Sequence, residues 1–234
     1  MIRLTDRLQV IANHIQKGEK VADIGTDHGY IPIYIYQKNI SDKLILTDIN
    51  KGPMEIAVRN LRQHHIPQNH YDARIGDGLK PVKTGEVDTI VIAGMGGLLI
   101  KDILSYDMNK TKALKKLILQ PRNAQDKLRE WLLSNGFEIL DESLVIEGKF
   151  ICEIIVAVPG EGQPTEQIYY EIGKKLIEKK DPLLESFITR KINVEKSILK
   201  TTSQNDSKRS QNQYQLSKER IKKLKEVLDY VRNH

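Results

Sequence analysis

The sequence predicts a doubly wound α/β domain of the nucleoside-binding kind, followed by a helical segment. Three observations carry this. The stretch Asp23-Ile-Gly-Thr-Asp-His-Gly29 ends the apolar run Lys20–Ile24 in glycines and opens a helix-like segment. Such a turn lets a ligand rest against bare backbone and a helix N-terminus. Residues 44–48 read Leu-Ile-Leu-Thr-Asp, a second strand whose final acid lies about 20 residues beyond the first glycine, where a carboxylate meets a ribose hydroxyl pair. Strand-like and helix-like stretches then alternate as far as residue 160.

In chain order, strands are expected at 20–25, 43–48, 71–75, 88–93, 116–121, 137–146 and 150–158. Leu44-Ile-Leu, Ile90-Val-Ile-Ala and Leu117-Ile-Leu are continuous apolar runs, which suit parallel strands covered on both faces. Helices are expected before the first strand, with Leu4, Leu8 and Ile11 inward, and over Gly52–His64 and Asn123–Asn135, the last closed by Gly136. Glu147-Gly-Lys149 is a hairpin-like connection, so the sheet is mostly parallel with the last strand antiparallel. Pro159–Pro164 reads as a linker, dividing residues 1–160 from 161–234. Beyond it, Ile168, Ile172 and Leu176 repeat at helical spacing, Pro182 interrupts, and Leu184, Ile188, Ile192 and Ile198 resume. Residues 201–213 are wholly polar and read as a loop; Ile221, Leu224, Leu228 and Val231 then follow a 3-4-3 spacing. These narrow stripes predict an antiparallel α-helical coiled-coil hairpin.

The chain has 234 residues, 39% of them hydrophobic, enough for a normal core. No apolar run reaches the roughly 18 residues that span a bilayer, and the first residues lack a signal-peptide core. One cysteine, Cys152, excludes an internal disulfide and a cysteine-rich zinc cluster; its apolar run makes it a packing residue. His14, His64, His65, His70 and His234 show no metal-ligand spacing, so no metal is expected. These features fit a cytoplasmic protein without a membrane partner, with oligomeric state open and a monomer favoured. Residues 1–160 hold 21 Lys and Arg against 20 Asp and Glu; residues 161–234 hold 16 against 11. That basic tail fits a polyanionic partner, or only a solvated lysine-rich surface.

Further strand ends carry Gly76-Asp-Gly-Leu79, Ala93-Gly-Met-Gly-Gly97 and Gln120-Pro-Arg122. One glycine turn is weak evidence; glycines and acids at four strand ends on the ligand-binding edge are stronger. Two nucleoside cofactors compete. NAD needs Gly-x-Gly-x-x-Gly for its pyrophosphate, yet Asp27 stands where the second glycine belongs and would repel it. S-adenosylmethionine brings a sulfonium and an ammonium, which Asp23, Asp27 and Asp77 attract, and it is preferred on charge.

The set Asp23–Tyr30, Thr47-Asp-Ile-Asn50, Gly76–Leu79, Ile92–Gly97 and Leu119–Arg122 resembles the TrmK family of bacterial tRNA (adenine-22-N1)-methyltransferases. Asp-x-Gly-x-x-x-Gly is similar to the first motif of class I methyltransferases, with Asp27 in place of the usual middle glycine. The motifs span the first 160 residues, and the helical tail matches that family's two-domain plan. The resemblance implies a Rossmann-like sheet, S-adenosylmethionine as methyl donor and tRNA as partner. It implies that Asp23, Gly25 and Thr26 shape the methionine end and that Gly29 opens the helix beneath the cofactor. Asp48 would hold the ribose, with Ile49 and Asn50 flanking the adenine. Asp77 would accept a hydrogen bond from the adenine amino group, with Gly76 and Gly78 beside it as further cofactor-binding residues. Ala93, Gly94 and Gly96 would bring backbone to cofactor and base.

Adenine N1 has an in-plane lone pair, so no strong base is needed; the task is to flip the base, hold N1 near the methyl and exclude water. Related amino-methylating enzymes carry Asn/Asp-Pro-Pro-Tyr/Phe after the fourth strand; Ala93-Gly-Met-Gly96 departs from it, which favours a ring nitrogen. Asp27, His28 and Met95 are the candidate residues nearest the reaction. Their plain alternatives are a helix N-cap, a local hydrogen bond and core packing. Tyr30, Gln120, Arg122 and Arg7 are the candidate substrate contacts. Tyr30 is equally readable as a packed first-turn residue, and Arg122 as the partner of a surface acid. In the tail, Lys174, Lys175, Lys179, Lys180, Arg190, Lys191 and the cluster Lys218–Lys225 would grip a tRNA backbone. The rivals are another RNA or small-molecule methyltransferase, a nicotinamide oxidoreductase, and a non-catalytic RNA-binding scaffold.

Overall fold

Runs of isoleucine, valine and leucine build one seven-stranded sheet in the order β3-β2-β1-β4-β5-β7-β6. A computed structural model describes residues 1–203 and 207–233. The elements are α1 (Asp6–Asn13), β1 (Val21–Ile24), α2 (Tyr30–Gln37), β2 (Leu44–Asp48), α3 (Lys51–Gln63), β3 (Tyr71–Ile75), β4 (Thr89–Met95), α4 (Gly97–Ser105), α5 (Met108–Lys112), β5 (Lys116–Pro121), α6 (Gln125–Ser134), β6 (Phe137–Glu147) and β7 (Phe150–Pro159). Strands β1 to β5 are mutually parallel; β7 runs antiparallel to both β5 and β6. The last strand in sequence therefore inserts beside β5 and leaves β6 at the edge. Strand order reverses direction between β1 and β4, the switch point where open α/β sheets bind ligands.

Alternate residues of the central strands enter two separate cores, one on each face. Ala22, Ile24, Ile90, Ile92, Leu117 and Leu119 pack with Ile100 and Leu104 of α4 and Leu128 and Leu132 of α6. Val21, Leu44, Leu46, Val91 and Ile118 pack with Ile11 of α1, Ile31 and Ile33 of α2, and Ala57 and Leu61 of α3. Double coverage is why these strands read as unbroken apolar runs. A charged group is buried here as well: Arg129 of α6, 1% exposed, donates to Glu142 of β6 at 2.6 Å and to Glu153 of β7 at 2.7 Å. Burial opposes the charge on Arg129, and the two carboxylates more than offset it.

The chain divides into two compact units, Met1–Pro164 and Thr165–His234. Gly162, within the expected linker, lies so close to Phe137 that an added Cβ would fall 1.9 Å from its carbonyl oxygen. The second unit holds α7 (Gln167–Ile172), α8 (Lys174–Glu178), α9 (Leu184–Thr202) and α10 (Lys208–Asn233). Helices α9 and α10 run antiparallel: Arg232 at the end of α10 donates to Glu185 at the start of α9 at 2.9 Å, and Arg220 reaches Glu195 at 2.9 Å.

The structure differs from the sequence reading in three places here. The helix expected before Pro182 is two short pieces, broken at Gly173, whose φ is +83°. The polar segment 201–213 is not all loop: Thr201 and Thr202 end α9 and Lys208–Gln213 begin α10, while 204–206 lie outside the described residues. Lysine, arginine and glutamine are good helix formers, so polarity alone does not break a helix. Cys152 is half-buried rather than buried, and burial pushes its thiol up. Supercoiling of α9 around α10 stays an expectation.

Candidate functional site

The site is built where β1, β2, β3 and β4 end. At β1, Gly25 (φ +72°) turns the chain, and the Gly25 and Thr26 N–H groups both donate to the Thr47 carbonyl, at 2.8 and 3.0 Å. That fork ties the β1 turn to β2. Asp23 is 6% exposed and accepts from the Thr26 hydroxyl at 2.6 Å. Burial pushes its carboxyl up to about 6; the Thr26 hydrogen bond opposes this, and the charges of Asp48 and Asp27 add to it. Three carboxylates thus share one electrostatic neighbourhood.

At β2, Asp48 is 8% exposed; one carboxylate oxygen accepts from the Asn50 N–H at 2.8 Å. The Asp48 carbonyl accepts from the Gly76 N–H at 2.9 Å, and the Thr47 hydroxyl donates to the Gly78 carbonyl at 3.3 Å. The Gly76-Asp77-Gly78 loop is therefore fastened to β2. Asp77 itself is exposed and accepts from Lys80 at 2.7 Å. Ile49 is 63% exposed beside Asp48, and Asn50 is exposed at the start of α3 without a side-chain cap bond.

Asp27 does not cap α2; Gly29 holds that position, in the left-handed region. Asp27 is itself left-handed (φ +50°), a conformation that aspartate tolerates better than most residues. Its carboxylate lies 3.5 Å from His28 Nε2. The His28 ring stacks on Tyr30 at 5.2 Å, and the His28 carbonyl accepts from Asn60 of α3 at 2.9 Å. Both aromatic rings are partly exposed, so Tyr30 is not a packed core residue.

At β4, pairing with β5 slips: Ala93 faces Gln120 and Met95 faces Pro121, leaving Gly94 as a bulged residue with φ +77°. Its N–H donates to the Gln120 side-chain carbonyl at 3.1 Å. The Met95 carbonyl accepts from the Arg122 N–H at 2.7 Å, and the Arg122 side chain is exposed. The Met95 methyl lies against Gly25, so a Cβ there would stand 2.2 Å from it. This brings the β4 turn onto the β1 turn. Gly96 faces Asn123 and Gly97 faces the Asn123 and Ala124 carbonyls, where a Cβ would meet oxygen at 2.7 and 2.5 Å. Arg7 of α1 donates to Glu147 at 2.6 Å and to Gln120 at 3.0 Å, which brings it to the same edge.

Asn60, Asn123 and Glu147 were not expected from the sequence. Each acts from a helix, a connection or a strand end far along the chain, and no local motif marks it. Among the described residues no cluster of His, Cys, Asp and Glu is arranged to hold a metal. The donor set is instead a glycine-lined, acid-rich recess, suited to a ligand with hydroxyls and positive charge.

Residues 4–155 match the family model described as a methyltransferase domain. The tRNA (adenine(22)-N(1))-methyltransferase of Bacillus subtilis is 32% identical over 235 residues, covering 98% of each chain. Among solved structures, the Streptococcus pneumoniae protein Sp1610 in complex with S-adenosyl-L-methionine superposes with a TM-score of 0.86 at 29% identity, covering 97% of this chain and 100% of that one. TrmK of M. capricolum in complex with S-adenosyl-homocysteine gives 0.84 at 28% identity, over 97% and 99%.

Proposed function

Because the chain belongs to the tRNA (adenine(22)-N(1))-methyltransferase family, we propose that it transfers a methyl group from S-adenosylmethionine to N1 of adenine 22 in tRNA. The observation that carries this reading is the buried Asp23 carboxyl with Asp48 and Asp27 around it, an arrangement that a cationic ligand relieves. A pyrophosphate would meet the same three acids as repulsion.

When bound, S-adenosylmethionine supplies a methyl group on positively charged sulfur, open to attack by a lone pair. Asp23 and Thr26 hold the positively charged end, with Gly25 giving close backbone approach. Asp48 uses its second oxygen for the ribose hydroxyls, while Ile49, Asn50 and the Gly76–Gly78 loop flank the adenine. To meet the adenine amino group, Asp77 must share or leave its contact with Lys80. The Ala93–Gly96 turn offers backbone to the target base, and Met95, whose methyl lies against Gly25, offers the base an apolar contact. His28 and Tyr30 present a stacked pair at the rim, the kind of surface on which an unstacked base rests. N1 attacks with its own lone pair, so the residues orient and shield rather than remove a proton. The methylated base is cationic, and the acidic recess stabilises the charge as it develops.

The test is transfer of labelled methyl from S-adenosylmethionine into an unmodified tRNA bearing adenine at position 22, followed by nucleoside analysis. The expected product is 1-methyladenosine, absent when position 22 is guanine. Label in N6-methyladenosine, or none with either tRNA, would contradict the proposal.

A further inference from the structure

The bulge at Gly94 removes one N–H from the β4–β5 ladder, and a buried side chain takes the place of the missing strand partner. Gln120 is 3% exposed. Its carbonyl oxygen accepts from Gly94 N–H at 3.1 Å and from Arg7 Nη1 at 3.0 Å, while its amide nitrogen donates to the Pro121 carbonyl at 3.2 Å. Two donors on one atom fix the orientation of that amide. Turning it over would set NH₂ against both N–H groups and leave a buried donor without an acceptor. Arg7 is fixed in turn. Its Nε donates to Glu147 at 2.6 Å, and the other Glu147 oxygen accepts from the Thr5 hydroxyl, which also caps α1, at 3.1 Å. Glu147 lies at the tip of the β6–β7 hairpin, 140 residues from Arg7.

We infer that Glu147, Arg7 and Gln120 form a positioning relay that sets the Gly94 bulge, and with it the backbone presented to the reacting adenine. Arg7 acts through Gln120 rather than by meeting tRNA. Glu147 aims the guanidinium, Arg7 pins the amide, and the amide holds the Gly94 N–H. What the relay serves rests on the proposed adenine methylation; the relay itself rests on these contacts alone. Small displacements of a base-facing turn are costly, because N1 and the methyl must stay within a narrow reacting geometry.

Two readouts on the full chain test this. The first needs no activity: amide hydrogen exchange at Gly94, followed by NMR without ligand, should accelerate at least about tenfold in Gln120→Leu and measurably in Glu147→Ala. The second compares kcat on tRNA with affinity for S-adenosylmethionine. Glu147→Ala should lower kcat about 10- to 100-fold with cofactor affinity unchanged, and Glu147→Asp should recover part of the loss. The charge swap Arg7→Glu with Glu147→Arg restores the ion pair but removes the guanidinium donor that pins the Gln120 carbonyl beside the Gly94 N–H. It should regain the thermal midpoint that Glu147→Ala forfeits, while kcat stays low and Gly94 exchange stays fast. Recovery of kcat and slow exchange in the swap would overturn the relay, because the pair would then be only a brace between α1 and the hairpin. Unchanged Gly94 exchange in Gln120→Leu would overturn it as well. A wild-type chain inactive on tRNA would count against the proposed function, and the exchange readout would still decide the relay.

Discussion

At the scale of single residues, the most informative feature is a carboxyl held against its own stability. Asp23 titrates near 6 rather than near 3.8, mainly because it is buried. Below about pH 4 it is neutral whether the chain is folded or not. As pH rises from about 4 to 6 the unfolded chain releases this proton more readily, so folding stability falls across that window, by up to roughly 3 kcal/mol. Asp23→Asn should therefore raise the thermal midpoint at pH 7.5 and remove that slope between pH 4 and 6, while weakening S-adenosylmethionine at least about tenfold. A calorimetric titration and a pH series of melts check both halves. Asp48→Ala should weaken the cofactor without raising stability, since one oxygen already accepts from Asn50 N–H; unchanged affinity by calorimetry would remove its ribose role. Asp23 and Asp48 were legible in the sequence because each closes or lies within a local apolar run. Asn60 and Glu147 were not, because their partners lie 32 and 140 residues away and only the folded topology joins them.

At the scale of elements, the strands were legible nearly to the residue, since double coverage writes itself as unbroken apolar runs. The bulge at Gly94 was not, because a one-residue slip between β4 and β5 has no pattern of its own. Polar composition misled at 201–213, where helical propensity in lysine- and glutamine-rich stretches extended α9 and α10. The Arg129–Glu142–Glu153 group joins α6, β6 and β7 and supports the β6–β7 hairpin whose tip bears Glu147. Arg129→Met should cost about 3–5 kcal/mol in urea unfolding, because it strands two buried carboxylates. Replacing all three with apolar residues of similar size should cost much less; equal losses would show that shape rather than charge holds this corner. At the α4–α6 junction, Gly97→Ala would drive a methyl into the Asn123 and Ala124 carbonyls. It should lower the thermal midpoint and displace the Ala93–Gly96 turn, seen as a drop in kcat larger than any loss of cofactor affinity.

At the scale of the whole molecule, the charge asymmetry read from the sequence falls along the division into two units. Part of the basic tail is committed internally: Arg220 pairs with Glu171 and Glu195. Lys218, Lys222, Lys223 and Lys225 of α10 are exposed. Replacing these four with glutamine should weaken tRNA binding and flatten its dependence on salt, by about 0.7–0.9 in log–log slope for each phosphate no longer neutralised, with S-adenosylmethionine affinity unchanged. An unaltered slope would move the tRNA-binding surface elsewhere. The acid-rich recess in the first unit is the feature on which the proposed activity depends. Its most direct test is a crystal structure of the chain with S-adenosylmethionine. The ribose hydroxyls should lie on Asp48, the positively charged methionine end beside Asp23 and Gly25, and the methyl should be directed toward the Ala93–Gly96 turn. A cofactor seated away from Asp23 and Asp48 would contradict this.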